Sequence, residues 1–260
     1  MKSEKKRVHI VHPYLLNPTN PISVNLIGAG GTGSQMLTAL ARINQALNAL
    51  GHAGLHVRVF DDDKVQPANL ARQLFTENEI GLNKGVALIN RINRFFGTNW
   101  KAIPERFTKG KNTTANITVC CVDTIGARIE IEEILHARPK NTQRDENIYL
   151  LDFGNSRESG QMVLSTIGEI KQPQSDRFAT IGVLPSLVVD YREMLAKGGE
   201  MDDEPSCSLA EALNKQDLFI NSVLANMGSS FLWQMLRVGI IENRGFFLNL
   251  GRFCSKQILI

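Results

Sequence analysis

A glycine-rich stretch near the start of the chain, Gly28-Ala29-Gly30-Gly31-Thr32-Gly33-Ser34, follows the apolar run VNLI and matches the pattern G-x-G-x-x-G. Glycines let backbone N–H groups approach phosphate oxygens, and the N-terminus of a following helix adds partial positive charge. The stretch is therefore a candidate nucleotide-binding loop. Any dinucleotide site would give the same pattern, and so would a tight strand-to-helix turn that binds no ligand.

Three consecutive carboxylates, Asp61, Asp62 and Asp63, end the second predicted strand. In dinucleotide-binding sheets an acidic residue at this place binds the ribose hydroxyls, usually about 20 residues after the loop rather than later as here. Asp61 is the candidate for that role. The alternative for all three carboxylates is a solvated turn.

A group of polar and basic side chains follows these carboxylates and comprises Asn69, Arg72, Gln73 and Lys84. Arginine offers a planar fork of donors to phosphate oxygens, and lysine offers a compact charge. A nicotinamide site has little use for such a group, whereas a triphosphate does. Taken alone, Arg72 could instead form a surface ion pair with Asp61–Asp63, and Lys84 could be a solvated residue at a helix start.

Asp123 ends the third predicted strand and is the candidate magnesium ligand, because magnesium prefers carboxylate and phosphate oxygens. The four cysteines, Cys120, Cys121, Cys207 and Cys254, form no C-x-x-C pair, so a four-cysteine zinc site has no support. Cys207 precedes a predicted helix, whose dipole would lower the pKa of its thiol. The alternative for Cys207 is a small residue buried at a helix start. The other three cysteines are predicted to lie in strand interiors.

Hydrophobic periodicity predicts strands alternating with helices along the first half of the chain. The predicted strands are VNLIGAG, LHVRVFDDD, ANITVCCVD and NIYLLDFGNS, and the predicted helices are SQMLTALARINQALNAL, NKGVALINRINRFFG and TIGARIEIEEILHARP, the first beginning at Ser34. This alternation favours a doubly wound, mostly parallel α/β sheet. Ligands bind beyond the carboxyl ends of such strands. Four candidate residues fall at predicted strand ends and could therefore line one ligand site: Gly28, Asp61, Asp63 and Asp123.

The second half predicts a strand at QMVLSTIG, an irregular crossing segment over residues 171–205 and one or two helices from Ser206 or Ser208. GFFLNLG and FCSKQILI predict an antiparallel hairpin at the C-terminus. We expect one domain over residues 1–260. Its nucleotide-binding core would span residues 22–155, and residues 156–260 would hold the crossing segment, the helices and the hairpin. The basic residues 1–9 are expected to form a solvated tail.

The composition is that of an ordinary globular chain, with 260 residues, 43% hydrophobic residues and a net charge of +3. The small net charge argues neither for nor against nucleic acid. The sequence contains neither a long apolar stretch nor a signal-peptide pattern, so we expect a cytoplasmic protein with no membrane partner. We also expect no nucleic-acid partner.

Together these motifs resemble the ThiF/MoeB/ubiquitin-activating superfamily over roughly residues 22–155. The pattern combines the glycine loop with Asp61-x-Asp63-x-Val65-x-x-x-Asn69-Leu70-x-Arg72-Gln73, Ile80-Gly81-x-x-Lys84 and Cys121-x-Asp123 with Arg128. The segment EPSCSLAEALNKQDLFIN is similar to a narrower subgroup, the ThiF-family proteins of the PRTRC gene systems of plasmids and mobile elements.

The resemblance implies an ATP-dependent adenylyltransferase that activates the C-terminal carboxylate of a ubiquitin-like or sulfur-carrier-like protein as an acyl-adenylate. It implies that the loop glycines Gly28, Gly30, Gly31 and Gly33 line the nucleotide. It further assigns the ribose to Asp61, the reacting phosphates or metal to Asp63, phosphate contacts to Asn69, Arg72, Gln73 and Lys84, and magnesium to Asp123. The catalytic set would be Arg72, Lys84, Asp123 and, for a subsequent thioester, Cys207.

The sequence departs from this superfamily in two ways. Many relatives carry two zinc-binding C-x-x-C pairs, which are missing here. Relatives often supply an arginine across a homodimer to the γ-phosphate, and Arg7 is the only arginine before the glycine loop. A homodimer is expected on this ground alone. Two alternatives stay open. The protein could be an NAD-dependent oxidoreductase, or it could be a non-catalytic ATP-binding adapter of the same fold.

Overall fold

The computed structural model describes residues 5–110, 113–137, 146–188 and 216–260. The described helices are α1 (Gly31–Ala49), α2 (Lys84–Phe96), α3 (Ile125–His136) and α4 (Ile220–Val238). The described strands are β1 (Lys6–Ile10), β2 (Ile22–Ile27), β3 (Leu55–Phe60), β4 (Lys101–Ile103), β5 (Ile117–Cys120), β6 (Tyr149–Asn155), β7 (Ser159–Thr166), β8 (Phe178–Thr180), β9 (Ile240–Ile241), β10 (Asn243–Asn249) and β11 (Cys254–Leu259).

The main sheet reverses its strand order at β2. This strand pairs in parallel with β3 on one side and with β5 on the other. The full order is β11-β10-β7-β6-β5-β2-β3-β4, parallel from β4 to β6 and antiparallel from β7 to β11. The predicted doubly wound sheet with an antiparallel C-terminal extension is therefore confirmed. Its switch point lies at the end of β2, where the glycine loop begins, and this is where such sheets bind ligands.

Two apolar clusters cover the two faces of this sheet. Because side chains alternate along a strand, Leu26 of β2 belongs to one cluster and its neighbour Ile27 belongs to the other. The larger cluster joins the sheet to α1, α2 and α4, and α1 packs along α4. The smaller cluster joins it to α3 through Ile131 and Leu135. Burial on both faces fixes the strand ends at which the candidate site lies.

The N-terminal segment differs from the expected solvated tail from residue 6 onward. Residues Lys6–Ile10 form β1, which pairs in parallel with β8 and antiparallel with β9 in a second, three-stranded sheet. His9 of β1 is fully buried, and its Nε2 and Nδ1 atoms lie 2.7 Å from Tyr149 Oη and from the Ile181 carbonyl oxygen. The basic residues at the start of the chain predict a solvated tail, and no local pattern reveals β1, because its pairing partners are distant in sequence.

Two local expectations are also corrected, and one short strand was not predicted. Helix α1 begins at Gly31 rather than at Ser34, whose hydroxyl accepts a hydrogen bond from the backbone N–H of Leu74 at 3.2 Å. The edge strand β4 was not predicted, because three residues carry little periodicity. Cys254 begins the edge strand β11 and is exposed rather than interior.

In the part of the chain that the structure describes, no helix combines the length and the apolar character that crossing a membrane requires.

Gly33 and Gly126 offer a matched test of the turn between β2 and α1. A Cβ atom on Gly33 would lie 1.9 Å from the Gly28 carbonyl oxygen, whereas one on Gly126 of α3 would meet no described atom within 4 Å. We expect Gly33→Ala to lower the free energy of unfolding by about 3 kcal/mol or more. Gly126→Ala should leave it unchanged or raise it by up to about 1 kcal/mol. Urea denaturation measures both, and equal effects would contradict the close contact at Gly33.

The buried His9 predicts a loss of stability in mild acid. Burial lowers the pKa of His9, although its hydrogen bond to the Ile181 carbonyl opposes the shift, and burial also lowers the pKa of His12. The unfolded chain therefore binds protons below about pH 6.5 that the folded chain does not, and stability falls as the pH falls through that value. We expect the melting temperature of His9→Gln to depend less on pH between 7.5 and 5.5 than that of the wild type. The exposed His136→Gln is the control, and equal pH dependence in both variants would contradict the assignment.

Candidate nucleotide-binding site

Two glycines of the loop are required by the turn itself. Gly28 has a positive φ of 87°, which favours glycine, and its N–H donates to the Phe60 carbonyl oxygen at 2.9 Å. A Cβ atom there would lie 2.8 Å from the Cys121 carbonyl oxygen, and one on Gly33 would strike the Gly28 carbonyl. Both glycines therefore let β2, β5 and α1 approach each other, whether or not a ligand binds.

The other two glycines differ in what lies above them. A Cβ atom on Gly31 would lie 2.5 Å from the side-chain amide of Asn221, which occupies that space. The nearest atom to a Cβ on Gly30 is Gln73 Nε2, at 4.0 Å. Gly30 is thus the loop glycine at which the described residues leave a Cβ atom uncrowded, and the other three have packing reasons of their own.

The Asp61 carboxylate holds the glycine loop against the end of β3. Its Oδ2 accepts a hydrogen bond from the Ala29 N–H at 2.6 Å, and its Oδ1 accepts one from the Asp63 N–H at 2.9 Å. Burial raises the pKa of Asp61, while these two hydrogen bonds and the charge of Lys84 act in the opposite direction. The alternative of a solvated turn is wrong for Asp61, which is 9% exposed. Its contact with a ribose stays a prediction.

Lys84 is buried at the start of α2 and pairs with Asp63. Its Nζ lies 2.7 Å from Asp63 Oδ2, and its side chain is 9% exposed, against 67% for Asp63. The alternative of a solvated lysine is therefore wrong. Asn83, which the sequence analysis missed, caps α2 by accepting from the Val86 N–H at 3.0 Å and donates to the Asp61 carbonyl at 2.8 Å. An asparagine directly before a predicted helix is the signal that could have found it.

Arg72 follows a strained turn at Ala71. The Arg72 N–H donates to the Leu70 carbonyl at 2.8 Å, and Ala71 between them has a φ of 64°. A turn of this kind is rare and strained in a residue with a Cβ atom. The guanidinium Nη1 donates to Gln216 Oε1 at 2.6 Å, not to the carboxylates of Asp61–Asp63, and burial lowers the pKa of Arg72. The surface ion pair considered as an alternative is not formed.

Gln73 and Asn69 have different environments beside this turn. Gln73 is buried, and its Oε1 has no hydrogen-bond partner among the described residues. An unsatisfied buried acceptor calls for a donor, which phosphate oxygens cannot supply, so the predicted phosphate contact of Gln73 would use its Nε2 donor instead. The side-chain oxygen of Asn69 accepts from the Gln66 N–H at 2.8 Å and so closes a capping box. Asn69 thus has a structural role, and its phosphate contact stays a prediction.

Asp123 is exposed just beyond β5, two residues after the Cys121 carbonyl that faces Gly28. Arg128 supports this turn by donating to the Val122 carbonyl and by forming a buried ion pair with Asp152. Within the described ranges no three His, Cys, Asp or Glu side chains are grouped so as to hold a metal ion. A single carboxylate fits magnesium that arrives with phosphates, because magnesium is often bound through one or two carboxylates plus phosphate oxygens.

Cys207, Ser206 and Ser208 lie outside the described residues. Burial raises the pKa of Cys120 to about 12 and raises that of Cys121 well above its ordinary value. Since the thiolate is the nucleophile, neither of these two cysteines suits an acyl-transfer step.

Four polar residues that the sequence analysis did not single out meet beside the loop, and we call them the amide network: Thr32, Asn155, Gln216 and Asn221. Asn221 Oδ1 accepts from Thr32 Oγ1 and from Asn155 Nδ2, each at 3.0 Å. Asn221 Nδ2 donates to Gln216 Oε1 at 3.0 Å. No sequence spacing signals this cluster, because its members come from α1, β6, α4 and the segment before α4.

Comparisons with known proteins show the family and the fold of the chain. A family model described as the ThiF family matches residues 15–237. No curated protein sequence matches the chain. Among solved structures, E. coli MccB superimposes with a TM-score of 0.59 at 16% identity, over 94% of this chain and 63% of that chain. PaaA superimposes with a TM-score of 0.57 at 16% identity, over 92% and 73%.

A structure of E. coli MccB with ATP superimposes with a TM-score of 0.54 at 14% identity, over 94% of this chain and 64% of that chain. These likenesses show the fold. The chain spans about two thirds of the length of MccB or slightly less.

Gly30→Ala tests whether the glycine loop binds a ligand or is only a tight turn. The added methyl group enters the open space beside the loop, so we expect the affinity for ATP to fall about tenfold or more, which corresponds to about 1.4 kcal/mol. The melting temperature of the variant is measured as well, so that the affinities are compared between folded proteins. Isothermal titration with ATP measures the affinity. Gly126→Ala adds the same group in open space on α3, and equal affinities in both variants would contradict phosphate binding at Gly30.

Proposed function

The chain belongs to the ThiF family, and from that premise we propose that it is an ATP-dependent adenylyltransferase that activates a carboxylate as an acyl-adenylate. One observation carries the proposal, which is that the glycine loop and the buried ammonium of Lys84 share one sheet edge. This edge is the switch point of the sheet, where doubly wound folds bind nucleotides.

The proposed reaction requires little chemistry from the protein. A carboxylate oxygen of the substrate attacks the α-phosphorus of ATP, the bond between the α-phosphorus and its bridging oxygen breaks, and pyrophosphate leaves with the electron pair. The carboxylate is already a nucleophile, so no general base is needed. What the chain must supply is positioning and positive charge where negative charge develops, and Arg72 and Lys84 are the groups for this.

The proposed substrate is the C-terminal carboxylate of a ubiquitin-like or sulfur-carrier-like protein. The family supports this class, and MccB lends support in a general way, because structures of MccB with ATP and with MccA have the fold of this chain. Asp61 would bind the ribose of ATP and Asp123 its magnesium, which would neutralise phosphate charge. Asp63 and Gln73 would lie near the phosphates. Cys207 would accept the acyl group if a thioester follows.

We further propose that the active form is a homodimer. Arg7 lies on β1 with its side chain exposed, as an arginine that reaches a second copy must be. It would contact the γ-phosphate bound by the partner.

Exchange of labelled pyrophosphate into ATP tests the adenylation step, with small ubiquitin-like proteins encoded beside this gene as candidate substrates. We expect exchange that depends on the C-terminal residues of one such protein. Arg72→Ala and Lys84→Ala should each lower the rate on the order of 10²- to 10³-fold, because each removes a preorganised positive group. The exposed Arg42→Ala on α1 and Lys101→Ala on β4 are the matched controls and should keep the wild-type rate.

The outcomes separate the three functions. ATP binding without exchange for any candidate substrate would favour the non-catalytic adapter. Binding of NAD in place of ATP would favour the oxidoreductase. Exchange that survives both Arg72→Ala and Lys84→Ala would contradict the role given to these cations.

A further inference from the structure

The Arg72 guanidinium is held by a neutral side chain rather than by a carboxylate. We propose that Gln216 and Asn221 are positioning residues that fix Arg72 toward the phosphates without neutralising its charge. This inference rests on the proposed adenylyl transfer.

Gln216 has only one orientation that satisfies its neighbours. Its Oε1 accepts from Arg72 Nη1 at 2.6 Å and from Asn221 Nδ2 at 3.0 Å, which uses both lone pairs. Its Nε2 donates to the Ser156 carbonyl at 3.4 Å. Arginine is a donor only, so a flipped amide would face Arg72 with a second donor. The oxygen must therefore point at the guanidinium.

Asn221 makes this orientation rigid. It is 4% exposed, and its Oδ1 accepts from both Thr32 and Asn155. Its amide also fills the space above Gly31, so it is held by the glycine loop itself. The amide network thus connects the start of α1, the end of β6 and the start of α4 to the guanidinium.

The charge of the side chain that binds Arg72 decides how much positive charge Arg72 can offer to an anion. A carboxylate would hold the guanidinium equally well but would offset its positive charge. A neutral amide holds it and leaves the charge for an anion. Among the described residues Arg72 has no ion-pair partner, whereas Lys84 has Asp63. The positive φ at Ala71, the residue before Arg72, is strained, and such strain is often found at functional sites.

A double-mutant cycle tests whether Gln216 acts through Arg72. We expect Gln216→Ala to lower the exchange rate and the affinity for ATP about 10- to 100-fold, because misplacement of a catalytic group by about 1 Å has effects of this size. In the Arg72→Ala background the same change should have no further effect. Gln45→Ala, an exposed glutamine on α1, is the control. The affinity for adenosine, which lacks phosphates, should be unchanged in every variant.

Gln216→Glu separates position from charge. It keeps an acceptor for Arg72 and adds a negative charge, so we expect it to lower the affinity for ATP at least as much as Gln216→Ala. A merely structural Gln216 would instead affect ATP and adenosine equally, or would keep its full effect without Arg72, and either result would overturn the proposal.

Titration with ATP reports on this inference independently of turnover. If the wild type binds ATP but shows no exchange, and the cycle still shows coupling, then the proposed function fails while the positioning role stands. If ATP binds and no coupling appears, the positioning role alone fails. If ATP does not bind, both are overturned.

Discussion

The hydrogen bonds of the buried Asp61 carboxylate are the interaction on which the candidate site depends. They join the Ala29 N–H of the glycine loop to the end of β3. Without this carboxylate, two N–H groups would lose their acceptor, at a cost of about 1–3 kcal/mol for each that stays buried. Burying a carboxylate is itself unfavourable, and the raised pKa of Asp61 reflects that cost. The charge of Lys84 offsets part of it.

The two cations of the site are consequently held by opposite means. Lys84 is buried between carboxylates, so its position and its charge are both part of the internal balance of the fold. Arg72 is held by Gln216, which balances no charge. An incoming anion would therefore meet a lysine whose charge is largely satisfied and an arginine whose charge is not. This difference makes Arg72 the more responsive of the two to a bound triphosphate.

The sequence was sufficient for the sheet, the loop and the acidic strand end, because each is signalled by neighbouring residues. It was insufficient for contacts between distant segments. The bond from Thr32 to Asn221 spans 189 residues, and the bond from Arg72 to Gln216 spans 144. For the same reason β1 was mistaken for a tail, since its pairing partners β8 and β9 lie far along the chain. Burial of Lys84 also depends on tertiary packing, which helix periodicity does not describe.

The glycine loop shows how a sequence motif can have two causes. Gly28 and Gly33 are explained by the contact of β2, β5 and α1, and Gly31 by the amide of Asn221. A fold that joins a strand to a helix this tightly needs these glycines even when nothing binds. Of the four loop glycines, only Gly30 is left uncrowded by the residues that the structure describes. In the proposed function, specificity for a triphosphate would therefore come from Arg72, Lys84 and the residues that hold them, and not from the glycine pattern itself.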